Sequence, residues 1–410
     1  HRRESSLMPR VLVVGGGPAG ASLAFLLARR GIETTLIERQ RDFAREFRGE
    51  VLMPSGLEAI DQMGLAAEFE GVETREMQNF ELYMNAKRCV SVELQPGAVD
   101  GRLPAAVSQP GMLEMLVAEA GKHTCFELVR GASVMGVIWT GGRVSGVRVR
   151  SDRGERRINA DIVIGADGRA SAVRKQTGMH VRHAEPPMDI VWGKLPCPPN
   201  FRGVRGYLGR GHLVIAYRSW DDQLQLGWVI LKGTFGEIRG RGVEHWITEV
   251  AKLVTPDLAA HLRTYAYAVA KPFLLDSASD CVESWSKPGA LVIGDAAHTM
   301  SPVGGQGLNV ALRDAIVTAN HLVPLLHAPS LDTKALDKAL VAIERERMAE
   351  IAPIQRLQAI PPRLVLNRAW WGEPLRNLLG HFVSTSIGQR IAMSRISIFT
   401  EGMTDVTLEV

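Results

Sequence analysis

One short stretch restricts the fold of this chain more than any other: residues 11–38 read as strand, glycine-rich turn, helix and second strand. Residues 11–14 are an apolar, valine-rich run that meets Gly15. Residues 18–30 then carry Leu23, Leu26 and Leu27 at helical spacing, with Gly31 as the stop, and residues 34–37 form the next strand. Two strands joined this way lie parallel in one sheet, with a right-handed crossover. The turn reads Gly15-Gly16-Gly17-Pro18-Ala19-Gly20. Gly15 permits the tight bend, Gly17 lets backbone approach a pyrophosphate, and Gly20 lets the helix sit close to the sheet. The helix N-terminus directs N–H groups and a partial positive charge at such an anion. Glu38 ends the second strand, where a carboxylate can accept hydrogen bonds from a ribose diol. The segment specifies a dinucleotide site without separating NAD from FAD.

At 410 residues the chain exceeds one ordinary core, so two or three packed units are expected. Its 46% hydrophobic and 22% charged content are those of a globular protein. No apolar run reaches bilayer length. The net charge of +4 is spread rather than gathered in basic blocks, so nucleic acid is not an expected partner. Cys89, Cys125, Cys197 and Cys281 lie far apart with no metal-type pair and read as reduced thiols. Residues 1–7 are polar and read as a leader or a cloning scar, and the expected location is the cytoplasm.

Further along, residues 77–94 alternate like strands, residues 111–121 read as a helix, and residues 133–139, 144–150 and 158–164 read as strands. Residues 188–232 are rich in short β runs, with 213–217 and 224–230 flanking a turn at Asp221 and Asp222. Beyond Asp314 the chain is mostly helical, broken at Pro361 and Pro362. The expected class is α/β: a Rossmann-like unit built from residues 8–76, 103–180 and 281–325, an inserted β-sheet unit from 77–102 and 181–280, and a C-terminal helical cap from 326–410.

Two more segments carry chemistry. Residues 164–171, Ile-Gly-Ala-Asp-Gly-Arg-Ala-Ser, deliver Asp167 onto a glycine turn, with Arg174 just beyond. The plainer reading makes Asp167 and Ser171 helix caps. Residues 290–298 end a buried strand in Gly294-Asp295, followed by His298, Pro302, Gly304, Gly305, Gln306, Gly307, Leu308, Asn309 and Asp314. That glycine-rich loop opens a helix at about Leu308, whose amides could face a developing negative charge.

In this order and spacing, the three segments resemble the FAD-binding signatures of the flavin-dependent aromatic hydroxylases, the class A monooxygenases typified by para-hydroxybenzoate hydroxylase. The resemblance covers residues 8–314. It implies that Gly15, Gly17 and Gly20 cradle the FAD pyrophosphate and Glu38 holds the adenosine ribose, with Pro18, Ala19 and Arg39 as further cofactor-binding residues. It places Asp295, beside Gly294, on the ribityl chain. The backbone at Leu308 and Asn309 would face the N1/C2 carbonyl edge of the ring, with Gly305 and Gly307 also binding the cofactor. Asp167 and Arg174 fall in the motif that serves FAD and the transient nicotinamide donor, and Arg48 and Gln109 match further FAD-contacting positions. Gln109 departs from the arginine common there.

The function so implied is an FAD-dependent monooxygenase that uses NADH or NADPH and O2 to hydroxylate an aromatic or polycyclic substrate through a flavin C4a-hydroperoxide, with FAD held non-covalently. Pro302 would shape the wall beside the reacting carbon. His298 is either a proton-transfer group or a histidine tied to backbone. Tyr217, Gln225 and Trp228, with His212 further out, are candidate substrate-pocket residues, or plain sheet packing. Arg356, Arg363, Arg368, Arg376, Arg390 and Arg395, near Trp370 and Trp371, make a basic surface that could touch a membrane or guard a lipophilic entrance, or a solvated cap. Rival readings on the same fold are a reductase of isoprenoid double bonds, a non-catalytic prenyl-binding protein and a halogenase, although no tryptophan-flanked halogenase signature is present.

Overall fold

In a computed structural model of the chain, which describes residues 9–44, 50–94, 102–184, 186–209, 211–269, 272–366, 372–383, 385, 387, 388 and 401–410, the opening motif folds as its pattern predicts. Strand Arg10–Val14, helix Pro18–Arg29 and strand Glu33–Glu38 form the crossover unit. Arg10–Val14 pairs in parallel with Glu33–Glu38 on one side and Ile162–Gly165 on the other. The full sheet runs Ser286–Lys287, Ala290–Val292, Ile162–Gly165, Arg10–Val14, Glu33–Glu38 and Phe126–Arg130, with only its first, edge strand antiparallel. Val11, Leu12 and Val13 are fully buried, as a sheet covered on both faces requires. Helix Pro18–Arg29 is buried from Ala19 to Ala28 because helices Gln109–Gly121 and Gln306–Leu326 pack against it.

Several boundaries differ from expectation. Residues 158–164 are not one strand: Gly154–Asn159 closes a three-stranded antiparallel sheet, and Ile162–Gly165 joins the parallel one. The break falls at Asp161, whose carboxylate accepts a 2.8 Å bond from the Arg10 amide and starts the new register. The helix expected at 111–121 begins at Gln109, where Ser108 Oγ accepts from Gly111 N at 3.3 Å. The last glycine loop enters its helix at Gln306 rather than Leu308. Helix Thr333–Gln358 is followed by Ile360–Val365, whose first turn holds Pro361 and Pro362, where a missing N–H costs nothing.

The second large sheet has seven strands in the order Phe273–Leu275, Met188–Pro196, Gln223–Leu231, His212–Arg218, Val204–Gly209, Asn79–Met84 and Lys87–Glu93. The polar turn at residues 221–222 lies between two of its strands, with Asp222 at φ 60°. Three helices that the strand-like reading of this region passes over, Phe235–Arg241, Val243–Ala251 and Pro256–Thr264, follow it. They cover one sheet face with Trp246, Ile247, Val250, Leu258 and Leu262. The other face turns towards the parallel sheet and its glycine loops. Among the described residues no helix is long and apolar enough to cross a membrane. Residues 1–7, Arg48, Arg368, Trp370, Trp371, Arg390 and Arg395 lie outside the described residues.

Candidate active site

The three glycines of the first turn do different work. Gly15 has φ 103°, and a Cβ there would fall 2.4 Å from the Ala166 carbonyl oxygen. A Cβ on Gly20 would fall 1.9 Å from the Gly15 oxygen. Those two positions close backbone on backbone. A Cβ on Gly17 would meet nothing within 4 Å, because that residue borders open cavity. Glu38 is 3% exposed, and its Oε2 and Oε1 accept from the Gly16 and Gln40 amides, each at 2.8 Å. It therefore shapes the turn while facing the same cavity, and a carboxylate has lone pairs left for another donor.

In the second motif the capping reading is realised. Asp167 accepts from Ser171 Oγ at 2.5 Å, Ala172 N at 2.6 Å and Val173 N at 3.3 Å, and it also lines the cavity. Burial pushes its carboxyl up against those hydrogen bonds, which favour the charged form. Arg174 does not line the cavity. Its guanidinium donates to the Ala296 oxygen at 2.8 Å and the Arg169 oxygen at 2.5 Å, riveting the second motif to the third.

The third motif is held from behind by a buried charge network. His298 Nε2 lies 2.6 Å from Asp314 Oδ2, which also accepts from the Gly294 amide at 2.8 Å. Arg347 Nε donates to Asp314 Oδ1 at 2.7 Å, and Arg347 Nη1 reaches Glu350 Oε2 at 2.6 Å. Arg313 Nη2 completes the chain, 3.0 Å from Glu350 Oε1. Burial alone would raise the Asp314 carboxyl, but its close contacts with His298 and the Arg347 guanidinium overcome it and hold the group at about 2. His298 is 1% exposed and does not border the cavity, so the structure places it in this frame rather than beside a reacting atom. Asp295 and Pro302 do border it, as do Gly294, Gly305, Gly307 and Leu308. The Asn309 side chain instead ties the helix start to the chain beside it, accepting from Met53 N at 2.8 Å and donating to the Gly305 oxygen at 2.9 Å.

All three motifs open on one cavity of about 870 Å³, which also takes in Pro18, Ala19, Arg39 and Gln109. Its far wall is the inner face of the seven-stranded sheet, including Ile190, Trp192, Leu213, Ile215 and Tyr217. Of the three expected substrate-pocket residues, only Tyr217 reaches it. Gln225 pairs with Tyr217 in register and shares its face, but is fully buried behind the surface. Trp228 is three positions further on and so points to the opposite face, where it packs with Trp246 and meets His212 Nδ1 at 3.3 Å. Sequence reading missed Trp192, which lies over Gly227, and Glu50, a buried carboxylate on the wall. Glu50 sits in no motif, and the only signal for it was an acid placed before an apolar pair.

The residues present fit FAD. An elongated dinucleotide needs a backbone floor without side chains, an acceptor for the ribose and helix N-termini near its anionic groups. Gly17 and Gly307, at neither of which a Cβ would meet protein, Glu38, and the starts of helices Pro18–Arg29 and Gln306–Leu326 supply these along one cavity.

Comparison with known proteins agrees. Residues 8–347 match the family described as FAD binding domain. A 6-methylpretetramide 4-monooxygenase of Streptomyces rimosus is 32% identical over 393 residues, 94% of this chain and 91% of that protein. A 3-amino-4-hydroxybenzoate 2-monooxygenase of Streptomyces platensis is 27% identical, covering 86% of this chain and 87% of its own length. Among solved structures, p-nitrophenol 4-monooxygenase PnpA from Pseudomonas putida superposes with a TM-score of 0.77 at 18% identity, over 97% of this chain and all of that one. PqsL of P. aeruginosa gives 0.75 at 22% identity, over 90% and 99%. These two establish the shared fold. The motifs, their common cavity and the family match lead to one identification: the chain belongs to the FAD-binding-domain family of flavin-dependent monooxygenases, with FAD as its cofactor.

Proposed function

We propose that this enzyme uses NADH or NADPH and O2 to hydroxylate an aromatic or polycyclic substrate held between the glycine loop at residues 304–308 and the apolar face of the seven-stranded sheet. The observation that carries this reading is the single cavity shared by the cofactor motifs and that apolar wall. The name of the Streptomyces platensis relative, with its hydroxybenzoate substrate, points the same way. FAD, when bound, supplies electron transfer and oxygen activation. The chain's part is to bind, orient and exclude water. Gly15, Gly17 and Gly20 with the following helix hold the pyrophosphate, Glu38 and Arg39 the adenosine ribose, and Asp295 the ribityl chain. The N-terminus of helix Gln306–Leu326 directs its partial positive charge at the anionic edge of the ring system. Pro302 forms the wall between ring and substrate. Ile190, Ile215 and their neighbours keep water from the reacting atoms, which suppresses the wasteful path to hydrogen peroxide.

In this reading residues 8–76, 103–180 and 281–325 serve the cofactor, residues 77–102 and 181–280 serve the substrate, and residues 326–410 cap the assembly. The test is oxygen uptake by the FAD-loaded protein with NADH or NADPH. Phenolic or polycyclic aromatic compounds should accelerate coupled uptake and yield an oxygenated product. Reduction of an isoprenoid double bond with no oxygen consumed would replace this reading with that of a reductase.

A further inference from the structure

The sheet side of the cavity is apolar except at one place. Among the described residues lining it there, Glu50 is the one charged group, and it is 6% exposed. Its position is fixed from both ends. The backbone oxygen accepts from Val107 N at 2.6 Å, within the pairing of Val51–Leu52 to Ala105–Val107. The carboxylate is gripped by Lys194 Nζ, 3.1 Å from Oε1, and by Ser219 Oγ, which donates to Oε2 at 2.7 Å. Lys194 is shared: it also lies 2.9 Å from Asp221 Oδ2 and donates to Ser219 Oγ at 3.2 Å. Burial pushes the Glu50 carboxyl up, and Lys194 and Ser219 pull against that; with both acids ionised, two carboxylates against one ammonium give the cluster one negative charge. Tyr217, on strand His212–Arg218, lies near the same group, and burial first, then the charges of Glu50 and Asp221, keep its phenol protonated.

We propose that Glu50 is the polar anchor of the substrate: its carboxylate accepts a hydrogen bond from a hydroxyl on an otherwise apolar, uncharged polycyclic ring system, and the net charge of the cluster turns away aromatic carboxylates. The proposal rests on the aromatic reading above and narrows it to a substrate class. A carboxylate with one protein donor on each oxygen keeps further lone pairs, which favour a donor in an environment poor in water. A charge-assisted hydrogen bond of this kind is among the stronger neutral-ligand contacts, whereas a like charge brought beside Glu50 meets repulsion that little solvent screens. Lys194 and Ser219 orient the group, and the lone pairs they do not use are what it offers the ligand.

Three compounds with one ring skeleton test this on the FAD-loaded protein by calorimetric titration: anthraquinone, 2-hydroxyanthraquinone below its own pKa, and anthraquinone-2-carboxylate. The wild-type protein should bind the hydroxy compound about tenfold or more tighter than the parent, and the carboxylate more weakly than the parent. Glu50→Gln, with FAD content and melting temperature as controls, should shrink the hydroxyl preference to about threefold or less and abolish the penalty on the carboxylate. Asp221→Asn should lessen that penalty while leaving the hydroxyl preference intact. If Glu50→Gln does not fold, Glu50→Asp, which withdraws the same charge by one methylene, should lower the hydroxyl preference and retain the penalty. Equal binding of hydroxy compound and carboxylate by the wild type, or unchanged preferences in Glu50→Gln, overturns the proposal. If none of the three compounds binds while FAD is retained, the polycyclic reading falls and takes this proposal with it.

Discussion

The two walls of the cavity are built on opposite principles. The cofactor wall is mostly backbone: glycines whose Cβ would meet either a neighbouring carbonyl, as at Gly15 and Gly20, or nothing at all, as at Gly17 and Gly307. The substrate wall is mostly side chain, standing on alternate positions of a sheet. A backbone wall recognises a shape common to every member of a cofactor class, while a side-chain wall can change at each position without disturbing the strands beneath. One wall fixes the chemistry, and the other selects what undergoes it.

That contrast can be broken by experiment. The largest expected effect is Gly17→Val. Its side chain would occupy open cavity rather than clash with protein, so far-UV circular dichroism and cofactor-free stability should be retained while FAD affinity falls by about a hundredfold or more. A variant that keeps its FAD would refute the assignment of Gly17 to the pyrophosphate floor. Next comes Asp314→Ala, which takes one of two carboxylate partners from buried Arg347, removes that of His298 and frees the Gly294 amide. Loss of about 3–5 kcal/mol in denaturant unfolding is expected, and a cost no larger than that of a surface mutation would show that the network is dispensable.

The same carboxylate sets a pH dependence. With its folded value at about 2 and an ordinary value of 3.8, Asp314 contributes stability that is complete above the ordinary value and is lost as pH falls through the folded one. Acid unfolding monitored by fluorescence should therefore steepen between these limits in the parent and not in Asp314→Asn. A smaller effect, roughly tenfold weaker FAD retention, is expected for Asp295→Ala by equilibrium dialysis, reflecting one lost charged hydrogen bond. The smallest test separates the two faces of the substrate sheet. Ile215→Ala should alter the ranking of bulky and compact substrates by about tenfold. Trp228→Phe, on the far face, should leave that ranking unchanged, and a shift there would mean the wall has been drawn on the wrong side.

The backbone wall was legible in the sequence because each motif is local: glycines, a proline and an acid within a few positions state a turn, a close approach and a cap. The fold class followed from the same segments. The side-chain wall was legible only as strands, because which face meets the cavity is set by packing from distant elements. Gln225 and Trp228, three apart on one strand, could not share a face, so alternation alone rules out the pair. It could not decide which face mattered, since that depended on the helices at residues 235–264 covering the other. Glu50 was hidden for a different reason: its partners Lys194 and Ser219 are more than a hundred residues away, and nothing local distinguishes it from a solvent-facing acid. The frame behind Gly294 was half visible, with Asp314 and His298 noticed and Arg347 supplied by a helix read only as a cap.

Arg174 leaves a last consequence. By donating to the carbonyls of Arg169 and Ala296, it sets the spacing between two turns that are more than a hundred residues apart in the chain. Because a fixed guanidinium gauges this interval, an arriving cofactor spends none of its affinity on drawing the two turns together, and the cleft is ready before anything enters it.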